Sequence, residues 1–220
     1  MRSSPLFKSP SLCYTLFMKT LILCLLIPTF SFAKSLMPAA FSTNFEESIV
    51  SMATGKEKKS YGKIDYKFPG HIRYEVTSPE PSTFVTNPKQ SWYYRPPFVE
   101  GEQGEVRVQK ASNLPLSKFL DSMKDGIEKS KQFTPKYQGN DLVLTFNAGA
   151  QKEFNLKEVI LHGSKDAKTI EKFKEFGKLT LVYNDGRRVI LNFIEFKEDA
   201  AFGPNHFIFT VPPKTKVTNN

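Results

Sequence analysis

Apolar and polar residues alternate along most of this chain. In the segment 41–49, large apolar residues recur at Phe41, Phe45 and Ile49, always at odd positions. Successive side chains of a β-strand point to opposite faces, so a period of two that is rich in β-branched and aromatic residues predicts strands. Further runs of this kind are 64–68, 72–76, 84–85, 92–94, 106–108, 142–146, 154–156, 159–161, 179–183, 189–193 and 207–211.

Turn-forming residues separate these runs. Pro69-Gly70 lies between the second and third runs, and Asn184-Asp185-Gly186 joins two later ones. An Asn-Asp-Gly sequence between two strand patterns is a strong hairpin signal. Many short strands joined by turns predict an antiparallel sandwich or barrel.

One stretch between the strands has helical spacing. Five apolar residues lie on one face of a 3.6-residue period, and charged residues cover the opposite face. This pattern predicts a single amphipathic helix of about four to five turns. A shorter segment of the same kind, 170–176, predicts a second helix. The five residues of the longer stretch are Leu116, Phe119, Leu120, Met123 and Ile127.

The N-terminus has the features of a secretory signal peptide. Lys19 precedes a mostly apolar run at 20–32, which ends in small residues around Phe32. The run is shorter than the roughly 20 apolar residues that a membrane span needs. We therefore predict a signal peptide over 1–33, cleaved after Ala33, and a single mature domain over 34–220.

Both cysteines lie before the predicted cleavage site. Without Cys13 and Cys24 the mature chain has neither a disulfide nor a thiolate, and its fold depends on its core in an oxidising compartment. Bulky residues at 21–23 precede Cys24, whereas a lipid-attachment cysteine follows small ones. Translation starts either at Met1, with a long polar region before the apolar run, or at Met18, which we favour.

Charge and motifs narrow the function classes. Cleavage would lower the formal net charge from +9 to +6. This positive excess would favour binding to anionic lipid surfaces or to an acidic partner, or it reflects only a solvated surface. His71, His162 and His206 have no neighbours at metal-ligand spacing, and no HExxH, GxSxG or phosphate-loop motif occurs. We therefore expect neither an enzyme nor a cofactor. The mixed charges at 56–59 argue against nucleic-acid binding.

Five segments, in order, carry a resemblance to a known family. They are 41–47, with two phenylalanines four apart; 62–74, a glycine followed by alternating apolar residues; 92–96, Trp-x-Tyr-x-Pro; 114–116, which opens the predicted helix; and 207–212, Phe-x-Phe-x-x-Pro. Together they resemble the LolA family of periplasmic outer-membrane lipoprotein carrier proteins over nearly the whole mature chain.

The resemblance implies a mainly β fold, in which an unclosed antiparallel barrel, or half-barrel, is covered by a helical lid over an apolar cavity for acyl chains. It implies a monomeric periplasmic chaperone that takes lipoproteins from an inner-membrane ABC transporter and delivers them to an outer-membrane receptor. The lipid-binding residues that it implies are Phe45, Ile64, Tyr66, Phe68, Ile72, Tyr74, Trp92, Tyr94, Leu116, Phe119, Leu120, Met123 and Ile127.

Two features depart from the family pattern. The family usually has an arginine directly before the proline that follows its second strand, and this chain has Phe68 there. The family also begins with a helix, but only 34–40 precede the first predicted strand. Both features concern the lid, so we expect the family fold with different gating. A carrier or sensor of another lipid, and a regulatory module that binds a membrane-anchored protein, remain alternatives.

Overall fold

Strands dominate the computed structural model, which describes residues 35–51, 54–110, 115–124, 126–128 and 130–219. The predicted signal peptide lies outside these residues. Twelve strands are described: β1 (Ala40–Val50), β2 (Glu57–Lys67), β3 (His71–Ser78), β4 (Ser82–Thr86), β5 (Gln90–Arg95), β6 (Gly104–Lys110), β7 (Phe133–Gln138), β8 (Asp141–Phe146), β9 (Leu156–Gly163), β10 (Phe176–Tyr183), β11 (Arg188–Glu198) and β12 (Thr215–Asn219).

All twelve strands belong to one sheet, in the order β12-β6-β5-β4-β3-β2-β1-β11-β10-β9-β8-β7. Neighbouring strands are antiparallel except for β12 and β6, which are parallel. The two terminal strands, β12 and β7, do not pair with each other, so the barrel is unclosed. The predicted half-barrel is confirmed.

Two α-helices are described, α1 (Pro115–Ser122) and α2 (Ala148–Phe154). Helix α1 packs on one face of the sheet, which we call the inner face and define by Phe41, Phe45, Ile64, Ile72 and Leu191. The α1 residues Leu116, Phe119 and Leu120 join this buried cluster. The helix therefore covers the inner face, as the predicted lid does.

The lid helix is shorter than predicted. It ends at Ser122, so Met123 and Ile127 lie in the turns that follow, although both are buried. The Met123 amide donates to the carbonyls of both Phe119 and Leu120, which tightens the last turn. Gly126 then has a φ of +98°, a conformation that ends helices and suits glycine.

Three other predictions were wrong in detail. Of the predicted helix at 170–176, only Phe173–Glu175 forms a 3₁₀ turn, and Phe176 begins β10. Phe154 ends α2 instead of starting a strand, because the Asn147 side chain caps that helix by accepting from the Ala150 amide. The segment 207–211 is not a strand, since it packs across the sheet as an irregular chain.

That irregular segment covers the opposite face, which we call the outer face and define by Val85, Trp92 and Val106. Phe207 is buried against these residues, and Phe202 and Phe209 pack beside it. The segment 202–209 is therefore a second cover, on the side of the sheet away from α1. The inner and outer clusters lie on opposite faces of the sheet. Phe84 and Val85 are neighbours on β4, so their side chains point to opposite faces, and they belong to different clusters.

Candidate lipid-binding site

Most of the predicted lipid-binding residues lie together between α1 and the inner face. They form one continuous apolar cluster in which aromatic rings are frequent, and Phe45 and Tyr74 stack with ring centroids 4.6 Å apart. The described structure places ten of the thirteen predicted residues in this cluster. The predicted residues that it brings together are Phe45, Ile64, Tyr66, Ile72, Tyr74, Leu116, Phe119, Leu120, Met123 and Ile127.

Trp92 and Tyr94 lie elsewhere, on the outer face beneath the segment 202–209. The register explains this placement. Trp92 pairs with Val85, and Phe84, which packs with the inner cluster, pairs with Tyr93. Residues directly opposite in a ladder share a face, so Tyr93 is the inner-face residue of this pair. The prediction thus placed Trp92 and Tyr94 on the inner face, whereas the structure places Tyr93 there, one residue out of phase.

Phe68 is also apart from the cluster. Its side chain is 40 % exposed, at the end of β2, and it lines a polar cleft of about 550 Å³. Lys118 and Asp121 of α1 and Glu153 of α2 line the same cleft. The structure thus places Phe68 beside charged side chains and outside the inner-face cluster.

Several inner-face residues escaped the sequence analysis. The prediction followed the family segments, whereas the sheet also brings β9, β10 and β11 to the inner face. The alternation of apolar residues predicted these strands. It did not predict that they share the inner face, because the order of strands in a sheet is a property of the tertiary structure. The buried residues missed in this way include Leu161, Phe176, Leu179, Leu181 and Leu191, and Met37, Phe41 and Phe173 from other elements were missed as well.

Asp121 ties the C-terminal end of α1 to the sheet. The Tyr66 hydroxyl donates to Asp121 Oδ1 at 2.7 Å, and the Gly70 amide donates to Oδ2 at 2.9 Å. Burial and this carboxylate both raise the pKa of the Tyr66 phenol, so the hydroxyl keeps its proton as a donor. Hydrogen bonds to a charged acceptor are stronger than neutral ones. The lid is thus held without an arginine at position 68.

The N-terminal segment adds a second tie at the same end of the lid. Ser35 Oγ donates to the Lys124 carbonyl at 3.1 Å, and Lys124 Nζ donates to the Met37 carbonyl at 3.0 Å. Residues 35–39 contain no helix. An irregular segment therefore contacts the chain just after α1.

A small apolar cleft opens near Leu116, at the other end of α1. It has a volume of about 170 Å³ and carries three polar side chains, those of Glu47, Tyr74 and Tyr183. The Tyr74 hydroxyl donates to Glu47 Oε2 at 2.7 Å. Burial raises the pKa of the Glu47 carboxyl, and the Tyr74 hydrogen bond and the Lys58 charge oppose that shift. A carboxyl group therefore faces an otherwise apolar cleft.

The described residues hold no cluster of three or more His, Cys, Asp or Glu side chains that would bind a metal ion. His162 and His206 pair separately with Asp141 and Asp65. Among the same residues, no helix has the length and apolar character that spanning a membrane requires.

Comparison with known proteins places this chain in a family. The family model described as outer membrane lipoprotein carrier protein LolA matches residues 38–210. The chain belongs to the LolA family. The matched range includes α1, the inner-face cluster and the segment 202–209.

Curated relatives of this LolA-family chain have low sequence identity to it, but the alignments cover most of both chains. An outer-membrane lipoprotein carrier protein of Serratia proteamaculans is 26% identical over 208 residues, which cover 89% of this chain and 95% of that protein. The protein of the same description from Klebsiella pneumoniae is 26% identical over 176 residues, covering 80% of this chain and 79% of that protein. A solved LolA superfamily structure from Nitrosomonas europaea matches with a TM-score of 0.43 and 10% identity, over 79% of this chain and 93% of that one.

Proposed function

We propose that this LolA-family chain is a lipoprotein carrier that holds acyl chains between α1 and the inner face. The observation that carries the proposal is the inner-face cluster itself, an apolar surface of aromatic and aliphatic residues covered by a helix of only eight residues. An acyl chain would take the place of α1 against this surface. The family membership supports lipoproteins as the source of that chain.

In this proposal α1 moves when cargo binds. The cleft at its N-terminal end has about 170 Å³, whereas pockets for small molecules measure about 300–1,000 Å³. We therefore take the described arrangement, with α1 packed on the inner face, as the closed form of the carrier. Cargo would enter when α1 leaves the inner face, and α1 would close again after release.

The energetics favour such an exchange. Burial of an acyl chain contributes about 0.8 kcal/mol per CH₂, so a chain of about 15 CH₂ groups is worth on the order of 12 kcal/mol before any cost. A cavity that stood open would hold this load too tightly to deliver it. In this chain, the packing of Phe119 and Leu120 and the Asp121 tie are lost when cargo binds, and regained on release.

The route follows from the proposed load. The carrier works as a monomer in the periplasm, accepts lipoproteins from an inner-membrane ABC transporter and passes them to an outer-membrane receptor. It acts by binding and not by catalysis. The assay is release of newly made lipoproteins from spheroplasts of the same bacterium into soluble one-to-one complexes. Absence of such complexes with the cognate transporter would contradict the lipoprotein proposal.

A matched pair of photo-crosslinking variants locates the cargo. Phe84 and Tyr94 are both half-buried aromatic residues on neighbouring strands, but Phe84 packs with the inner cluster and Tyr94 with the outer one. With p-benzoylphenylalanine at either position, we expect crosslinks to lipoprotein acyl chains from Phe84 alone. Equal crosslinking from Tyr94 would place the cargo elsewhere. Crosslinks to another lipid in place of lipoprotein would favour the alternative carrier.

A further inference from the structure

Glu47 is an exception on the inner face. It follows Phe45 by two positions on β1, so both side chains point to the same side of the sheet. Phe45 lies in the buried apolar cluster, and Glu47 lines the 170 Å³ cleft together with Leu116, Leu181 and Leu191. A carboxyl group half-removed from water costs free energy, and the fold retains it where an apolar residue would pack well.

The Glu47 carboxyl is only partly satisfied. Oε2 accepts from Tyr74, and Oε1 has no hydrogen bond to any described residue. The hydroxyl of Tyr183, the other polar group of the cleft, has none either among these residues, although the Arg187 guanidinium lies 4.9 Å from its ring centroid. Lys58, whose charge acts on Glu47, pairs with Glu80 at 2.8 Å. The cleft thus offers a negative charge and a free acceptor beside apolar walls.

We infer that Glu47 selects the load by charge, so that the cleft accepts an uncharged or cationic lipid head group and rejects an anionic phospholipid. The inference rests on the proposed carrier function and names the class of lipid that it takes. A phosphate near Glu47 would meet a like charge where neighbouring apolar atoms lower the effective dielectric constant. An uncharged head group with an N–H or O–H would instead donate to Oε1.

Such selection has a physical purpose for a lipid carrier. Two acyl chains on glycerol are common to lipoproteins and membrane phospholipids, so apolar contacts alone do not tell them apart. The lipid group of a lipoprotein has no phosphate, whereas phospholipids do. Specificity between such competitors is achieved by an unfavourable contact with the wrong one. A carboxylate on the inner face supplies that contact.

The test compares two lipids that differ only in the head group. Binding of dioctanoylglycerol and of dioctanoylphosphatidylglycerol to the mature chain is measured at neutral pH by displacement of an uncharged fluorescent probe. We expect the wild type to bind the uncharged lipid about tenfold more tightly, the ratio that one like-charge contact of about 1.4 kcal/mol gives. Glu47→Gln should reduce this ratio to below about threefold, and Glu47→Asp, which keeps the charge, should retain most of it.

Glu46→Gln is the matched control. Glu46 is the neighbouring carboxylate on β1, pairs with Lys59 at 2.9 Å and lies outside the cleft, so its removal changes the net charge equally and should leave the ratio at the wild-type value. A wild-type ratio near one, or an unchanged ratio in Glu47→Gln, overturns the inference while the carrier proposal stands. If the wild type binds neither lipid, the carrier proposal fails as well.

Discussion

The inner and outer faces of the sheet each carry an apolar patch under a separate cover, but the two covers are held differently. On the inner face, α1 covers a large aromatic cluster and is tied to the β2–β3 turn through Asp121. On the outer face, the segment 202–209 covers a small cluster and is anchored along the strands. There, His206 Nε2 lies 2.8 Å from Asp65 Oδ2, and Asn87 donates to the Phe207 carbonyl at 3.1 Å.

The difference indicates which cover can be exchanged. The outer segment covers three buried side chains of the sheet with its own Phe207, an apolar area too small to receive an acyl chain. The inner cover is a short helix over an extended apolar surface, and apart from the Lys118–Glu153 ion pair its ties lie at its C-terminal end. In the proposed carrier, α1 leaves the inner face once these ties break, and lipid takes its place on the apolar surface. Four predictions test this comparison, from the largest expected effect to the smallest.

The largest effect should come from the aromatic residue at the centre of each cover. Phe119→Ala and Phe207→Ala each remove a buried ring, and each should lower the free energy of unfolding by about 3–5 kcal/mol. Only Phe119→Ala should also alter lipoprotein release from spheroplasts, because only Phe119 packs on the inner face that cargo would occupy. Chemical denaturation measures the first quantity and the release assay the second. Equal loss of release in both variants would remove the distinction between the covers.

The next largest effect should come from removing the hydrogen bonds that hold α1 on the sheet. Asp121→Ala removes the hydrogen bonds from Tyr66 and Gly70, and should destabilise the closed lid by about 1.5–3 kcal/mol. The open population would then rise by roughly ten- to a hundredfold, and the apparent affinity for dioctanoylglycerol would rise with it. Hydrogen exchange of the α1 amides measures the opening directly.

His206→Ala is the corresponding change on the outer face. It removes the pair with Asp65 and should lower global stability by a similar amount, since the acceptor is charged and buried. Exchange of the α1 amides and lipid affinity should not change. Faster exchange in α1 would mean that the two covers are coupled through the sheet.

Some of these features could be predicted from the sequence, and others could not. Period two and the Asn184-Asp185-Gly186 turn were sufficient for most strands, because alternation is a local property of each strand, but the terminal strands β7 and β12 were not predicted. Trp92 was assigned to the wrong face since its neighbours Tyr93 and Tyr94 are equally aromatic, and local pattern cannot choose between them. The Asp121 tie was not predicted, because it joins residues 51 positions apart and exists only once α1 packs on the sheet.

The third prediction uses the raised pKa of Glu47 on the inner face. An acid whose pKa is raised on folding keeps its proton in the folded state where the unfolded chain has lost it. Its contribution to stability is therefore present below the unfolded value of 4.5 and is lost as the pH rises through the folded value. Glu47→Gln should flatten this part of the stability profile, measured by urea denaturation across pH. An identical profile in the variant would mean that Glu47 is solvated. Glu46→Gln should retain the wild-type slope.

The smallest effect should come from restoring the family arginine. Phe68 lines the same cleft as Asp121, so the guanidinium introduced by Phe68→Arg would add a partner to the tie that already holds α1. Because the site is exposed, we expect at most about 1 kcal/mol in favour of the closed lid, and an affinity for dioctanoylglycerol up to about fivefold weaker. Phe68→Lys should do less, because an ammonium lacks the planar fork that binds a carboxylate through two hydrogen bonds.

The double variant decides where the added charge acts. If the guanidinium strengthens the lid through Asp121, Phe68→Arg should have no effect in the Asp121→Ala background, and the two changes should couple by the full effect of the single variant. An effect that persists without Asp121 would place the new contact on Glu153 of α2, which lines the same cleft. In that case the aspartate tie and the family arginine would be independent ways of closing the lid. Coupling would instead show that Asp121 is the common acceptor. In this chain it accepts from the Tyr66 hydroxyl and the Gly70 amide, and in the Phe68→Arg variant it would also accept from the guanidinium.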